Sequence, residues 1–149
     1  MENENDGYDV LVSELKVTEP DEFVIVRHDQ LKVFQLSFRL ASEIFSLSRS
    51  FPPEERFSLT DQIRKSSRSV SANIAEGWRK RRYRASFQSS LNIAESEAAE
   101  TQTWLRFALD CGYVTDDEAR RLFGAYDSVI AKLVVMINNP DPWLLEGKK

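Results

Sequence analysis

Five cations and two aromatics occupy seven consecutive positions, Trp78-Arg79-Lys80-Arg81-Arg82-Tyr83-Arg84. Guanidinium forks match the oxygens of phosphate, and an aromatic face can stack on an unpaired base. The stretch therefore carries the chemistry of a polyanion contact. Arg64, Lys65 and Arg68 lie upstream at spacings of one, three and four, so two of them share one face of a helix. They stand several turns from Gly77, so the two groups need not form one patch. The competing reading is a solvated helix junction, or one whose cations pair with a neighbouring subunit or with acids of this chain.

Two further groups invite a chemical reading. Gln62, Asn73, Glu76 and Glu100 fall beside apolar positions, and buried amides and carboxylates require partners. With Gly77 they read as a structural network, reaching Glu100 or Arg64, that fixes helix register; a ligand pocket is the alternative. Glu97 and Glu100 form an E-x-x-E pair, the arrangement with which all-α nucleotide pyrophosphohydrolases hold Mg²⁺. Such a cage needs acids from a neighbouring helix, and Glu76 is the one candidate, so a Mg-dependent hydrolase ranks last. No catalytic residue, metal site or cofactor is assigned. The single histidine, His28, precedes the helices, which leaves di-iron and zinc chemistry without ligands. Cys111 has no paired His to activate it and reads as a small apolar residue at a helix end.

These groups need a scaffold, and composition narrows it. The chain has 149 residues, enough for one domain with its own core. Five Gly and five Pro are too few for the turns of an all-β fold. The lone cysteine fits a reducing cytosol, Met1 is followed by acids rather than by a basic leader, and no apolar run reaches the roughly 18 residues of a membrane span. The expected location is cytoplasmic. A net charge of −4 conceals an uneven distribution. Residues 1–28 carry eight acids against Lys16 and Arg27, whereas Arg56–Arg84 carries nine bases against Asp61 and Glu76. The local field, not the total, decides whether a polyanion is attracted.

Periodicity predicts four helices. Residues 1–28 form an acidic arm, partly ordered or flexible, in which VLVSEL (10–15) and FVIV (23–26) are short docking elements. Asp29 is the expected N-cap of the first helix. Leu31, Phe34, Phe38, Ala41 and Phe45 make one apolar row, and Val33, Leu36, Leu40, Ile44 and Leu47 a second, so this helix is expected to be buried on more than one side. Phe51-Pro52-Pro53 ends it. Ser58 or Thr60 would cap the second helix, whose inward positions are Ile63, Ser67, Val70, Ile74 and Gly77, with Gly77 supplying a positive-φ end. The third runs from about Arg81 to about Asp110, striped by Phe87, Leu91, Ala94, Ala98, Leu105 and Leu109, with Ile93, Trp104 and Ala108 alongside, and closed by Gly112. The fourth starts at Thr115, ahead of three acids, and ends at Asn138-Asn139-Pro140. Short connections favour antiparallel neighbours. The fold class is therefore all-α: an antiparallel up-down four-helix bundle over 29–140, an acidic N-terminal arm at 1–28 and a tail at 141–149. Trp78, Trp104 and Trp143 exceed what the centre of so small a core can hold, and those left over favour a subunit interface or else cap the bundle ends.

Gln62-Ile63-Arg64, Asn73-Ile74-Ala75-Glu76-Gly77, Phe87, Leu91, Ile93-Ala94 and Glu100 together carry a resemblance. The chain resembles, over roughly 29–140, the bacterial four-helix-bundle family encoded in intervening sequences of 23S ribosomal RNA, also called S23 ribosomal protein. The resemblance implies a closed bundle that assembles into a homopentameric ring. It also implies kinship with the accessory protein of diversity-generating retroelements, which associates with reverse transcriptase and nucleic acid. It brings no catalytic residues. The family usually has Gly-Ser shortly after Ile-Ala on the third helix; Ser96-Glu97 stand here, which implies altered packing at a close helix crossing. The leading expectation is a non-enzymatic homo-oligomer that binds RNA, DNA or a nucleoprotein partner through Arg64, Lys65, Arg68, Arg79, Lys80, Arg81, Arg82 and Arg84. The alternative is a purely structural or protein-interaction oligomer.

Overall fold

The computed structural model describes residues 25–145, and these contain helices and turns but no strand. The helices are α1 (Lys32–Ser48), α2 (Leu59–Arg79), α3 (Arg84–Asp110) and α4 (Asp116–Asn138). Short 3-10 turns cover His28–Gln30, Pro53–Glu55 and Asp141–Trp143. VLVSEL lies outside the described residues.

Cross-helix contacts give the topology. Ser37 on α1 shares a hydrogen bond of 2.9 Å with Ser71 on α2, and Ser48 accepts from Arg64 at 2.8 Å. As α1 ascends, its partner residues descend, so the two helices are antiparallel. Ser66 pairs with Thr101 at 2.8 Å while Gly77 abuts Ser90, which makes α2 and α3 antiparallel. Gln102 reaches the Phe123 carbonyl and Gln88 the Ile137 carbonyl, so α3 and α4 also run in opposite directions. Glu43 of α1 meets Arg121 of α4 at 2.8 Å and closes the ring. Each helix packs on two neighbours, the up-down four-helix bundle that short connections favour.

One core fills the centre. Ile44, Ile63, Val70, Ile74, Phe87, Leu91, Leu105, Val129 and Leu133 are fully buried. Each such side chain contributes about 1.5–3 kcal/mol by leaving water. Where α2 meets α3, small residues replace large ones. Ser66 and Ser67 are buried, and each returns its hydroxyl to a carbonyl three residues back, so close approach leaves no orphaned oxygen. One buried oxygen is less well served: the Tyr126 hydroxyl finds no hydrogen-bond partner among the described residues.

The helix ends hold some surprises. Asp29 is not the N-cap of α1. Gln30 Oε1 accepts the amides of Val26 and Arg27 at 2.8 and 2.9 Å, building a tight turn first and delaying the helix to Lys32. Asp29 lies within that turn, 3.4 Å from Arg27 Nε. Ser58 stands at the start of α2 without a side-chain cap, and Thr60 is buried inside the first turn. Gly77 does not end α2 either. It is buried inside the helix, and a Cβ there would stand 3.1 Å from Ser90 Cβ. Its role is close approach of α2 to α3. The third helix begins at Arg84 rather than Arg81.

Other ends follow the sequence. Gly112 takes φ +77°, and the amides of Gly112 and Tyr113 bond to the carbonyls of Leu109 and Ala108, a Schellman closure of α3. Thr115 and Glu118 form the reciprocal capping box that starts α4. Ile93 and Leu109, expected in the stripe of α3, are exposed. Ser96 is exposed too, so the Gly-to-Ser departure falls away from any close crossing. Trp78 is buried in the core, and Trp104 and Trp143 pack half-buried against it, so the tryptophans belong to the bundle.

The first of the two rows of α1 is incompletely covered. Phe34 and Ala41 are buried, but Phe38 is 41% exposed and Phe45 only half-buried. This uncovered flank of α1 faces α2 and sets up the site described next.

Candidate nucleic-acid interface

Arg79 to Arg84 form the corner between α2 and α3. Lys80 Nζ sits 2.8 Å from Glu76, one helical turn back. Arg84 pairs with Asp141 of the C-terminal turn. The amide of Leu145 also bonds to the Arg81 carbonyl at 3.5 Å, so the start of the tail folds onto the corner. Arg81 lies 4.0 Å over the Trp78 ring and donates from Nη1 to the Trp78 carbonyl at 2.8 Å. Burial first, then the neighbouring Arg79 charge, lower its pKa from the ordinary guanidinium value. Trp78 Nε1 donates to the Val26 carbonyl at 3.2 Å, which ties residues 25–28 to the same place. Buried beneath Arg81, Trp78 is not available to stack on a base, whereas Tyr83 is 65% exposed. Arg79 and Arg82 are exposed and form no ion pair with a described carboxylate. The corner thus spends three of its five cations internally.

A second basic group lies between α1 and α2. Arg64, Arg68 and Arg49 stand 4.6, 5.4 and 5.8 Å from the Phe45 ring centroid. These are cation–π distances: the negative ring face attracts each guanidinium. Arg64 is fixed further by its Nε bond to Ser48 Oγ. None of the three pairs with a carboxylate among the described residues. Beside them runs a groove of about 380 Å³ lined by Phe38, Ala41, Ser42, Phe45, Ser46, Arg68 and Ser71. Lys65 is not part of this group; it pairs with Asp61 at 2.9 Å on its own helix. Arg49 was absent from the sequence-derived set. Its signal was the spacing of four from Phe45, which a search confined to runs of cations passes over.

The polar signature does not form the expected network. Asn73 Nδ2 donates to the carbonyl and hydroxyl of Ser69, Glu76 pairs with Lys80, Glu100 accepts from Trp104 Nε1 at 3.3 Å, and Gln62 is exposed. Each bonded group takes a partner from its own helix, because i,i+4 neighbours are always within reach. Register is instead held by the buried hydroxyl pairs Ser37–Ser71 and Ser66–Thr101.

Glu97 is raised above the ordinary carboxyl range by burial first, then by the charge of Glu100 and their shared hydrogen bond. Glu76 is engaged elsewhere. Among the described residues no three His, Cys, Asp or Glu gather as a metal cage. The convergence of Glu76, Glu97 and Glu100 that a Mg-dependent hydrolase requires is therefore not formed. No described helix is long and apolar enough to cross a membrane.

Comparison with known proteins places this geometry. No curated protein matches the chain. A solved structure from Bacteroides thetaiotaomicron VPI-5482, a protein of unknown function from the S23 ribosomal protein family, is 30% identical with a TM-score of 0.65. The match covers 72% of this chain and 99% of that one. The model of the 23S rRNA-intervening sequence protein family matches residues 29–135, which span all of α1 to α3 and most of α4. On both sequence and fold, the chain belongs to the 23S rRNA-intervening sequence protein family.

Proposed function

We propose that this protein is a non-enzymatic, cytoplasmic, homo-oligomeric helical bundle that binds RNA or DNA through phosphate contacts. The observation that carries this reading is the set of guanidiniums left without carboxylates: Arg49, Arg64 and Arg68 around Phe45, with Arg79 and Arg82 at the corner. Lys65, Lys80, Arg81 and Arg84 support the field but are already engaged within the chain. Phosphate contacts of this kind carry little sequence preference and weaken steeply with salt. The family description, which refers to intervening sequences of 23S rRNA, agrees with a nucleic-acid context.

Assembly rests on exposed apolar side chains. Ile93, Phe107 and Leu109 of α3 and Val135 of α4 stand at the surface, as does Phe57, which is 84% exposed. Copies arranged in a ring, five on the family resemblance, meet through heterologous patches and repeat one weak basic site several times. The same exposed residues favour the second reading, an oligomer that contacts only protein. Light scattering of the purified chain, with and without a mixed RNA pool, separates the two. The proposal requires a multimeric mass that rises on adding RNA, and a 260/280 nm absorbance ratio that falls on nuclease treatment. A multimer indifferent to RNA leaves the structural oligomer; a monomer removes the assembly.

A further inference from the structure

Resting on the nucleic-acid reading, we infer that the groove between α1 and α2 is a phosphate-binding site, with Arg49, Arg64 and Arg68 as the anion clamp on Phe45. Three like charges lie within 5.8 Å of one ring. Gathered round one ring, where the Debye length at physiological salt is about 8 Å, they repel one another. None of the three forms an ion pair with a described carboxylate. The chain holds them together with the Phe45 ring face and the Ser48 hydroxyl, two devices that leave the positive charge intact. An arginine that only stabilises a fold is more simply satisfied by a carboxylate, as Arg84 is by Asp141 and Arg121 by Glu43.

The surroundings suit a phosphodiester. Ala41, Ser42, Ser46 and Ser71 keep the groove floor low, so a backbone can approach the guanidiniums closely. Ser42 and Ser46 are exposed there and offer hydroxyl donors beside Arg68. Planar guanidinium forks take two phosphate oxygens at once, which a lysine cluster cannot do. The three arginines come from the end of α1 and the middle of α2, whose spacing is locked by the buried Ser37–Ser71 pair. The clamp is therefore preorganised, and a strand of phosphates meets it without reordering long side chains.

The test uses the full chain and fluorescein-labelled, mixed-sequence single-stranded RNA, with fluorescence anisotropy read across a salt series. Arg49→Ser with Arg68→Ser removes the two exposed members and spares Arg64, whose bond to Ser48 is structural. The expected result is an affinity loss on the order of tenfold at moderate salt. The salt slope becomes shallower by about 1.4, the change for two lost single-strand phosphate contacts. Binding equal to wild type in this variant overturns the clamp and leaves the broader reading intact. Loss confined to Arg79→Ser with Arg82→Ser does the same. Wild type that fails to bind at low salt overturns both. Displacement of RNA by polyglutamate as readily as by unlabelled RNA also overturns the inference, since the groove then takes any polyanion. Arg68→Glu serves where the double variant melts early; it reverses one exposed charge, and wild-type affinity in it is equally decisive.

Discussion

The α2–α3 corner and the α1–α2 groove are both rich in arginine, yet the chain treats them in opposite ways. At the corner, Lys80 finds Glu76, Arg84 finds Asp141 and Arg81 lies on a buried tryptophan. At the groove, three guanidiniums converge on one half-buried phenyl ring and meet no acid. The denser run of positive charge is the one more fully used up inside the molecule. Charge density along a sequence reports where cations are, while three-dimensional pairing decides which of them remain available to a partner.

The contrast makes predictions that can be ranked by size. Trp78 staples the corner and Phe45 only gathers the groove, so their truncations should differ in kind. Trp78→Ala is expected to cost about 3–5 kcal/mol of stability as a core cavity. Phe45→Ala, at a half-buried position, should cost roughly 1–2 kcal/mol and lower RNA affinity by scattering the clamp. Urea melts with parallel anisotropy measure both, and equal stability losses would erase the distinction.

Next in size is Gly77→Val. The added side chain meets Ser90 at 3.1 Å from its first carbon, so the corner must open. Overpacking of this kind costs about 2 kcal/mol, read as a lower urea midpoint at unchanged m-value. A silent substitution would mean that α2 and α3 are not so closely seated.

Asp141→Asn is a smaller perturbation that sharpens the comparison directly. The pair with Arg84 is largely exposed, so stability should change by no more than about 0.5 kcal/mol. RNA affinity should rise modestly, because a corner cation is released. An unchanged affinity would place the corner outside the interface. Removal of residues 1–24 removes all eight acids of the arm, and raised affinity is again the expected direction.

The smallest effect concerns Glu97, whose carboxyl is raised by burial and by Glu100. A group with a raised folded pKa favours folding while protonated and loses that contribution as pH climbs through the folded value. Glu97→Gln should therefore raise the melting temperature at pH 7, with the gain fading as pH falls through the raised folded value and gone below the ordinary carboxyl value of 4.5. A gain that persisted undiminished at low pH would point to another cause.

Much of the architecture was legible in the residues. Apolar spacing gave four helices, Thr115 with Glu118 gave the start of α4, and Gly112 gave the end of α3, because these signals are local. Asp29 misled because Gln30, one residue on, folds back on the Val26 and Arg27 amides and sets a 3-10 turn where the helix was expected to start. Gly77 misled because glycine serves both positive φ and close packing, and only the neighbour Ser90 decides between them. The site was half legible. Arg64 and Arg68 stand out in the sequence together with Lys65, which only the structure separates by pairing it with Asp61, and Arg49 joins them only when α1 and α2 are packed together. The pairing of Arg84 with Asp141, 57 positions away, has no local signal at all.

The most direct measurement is the salt dependence of RNA binding by the unmodified protein. The account predicts measurable affinity at about 50 mM salt and a linear fall of log K with log salt, losing orders of magnitude by about 200 mM. An absence of binding at low salt, or an affinity indifferent to salt, would contradict it.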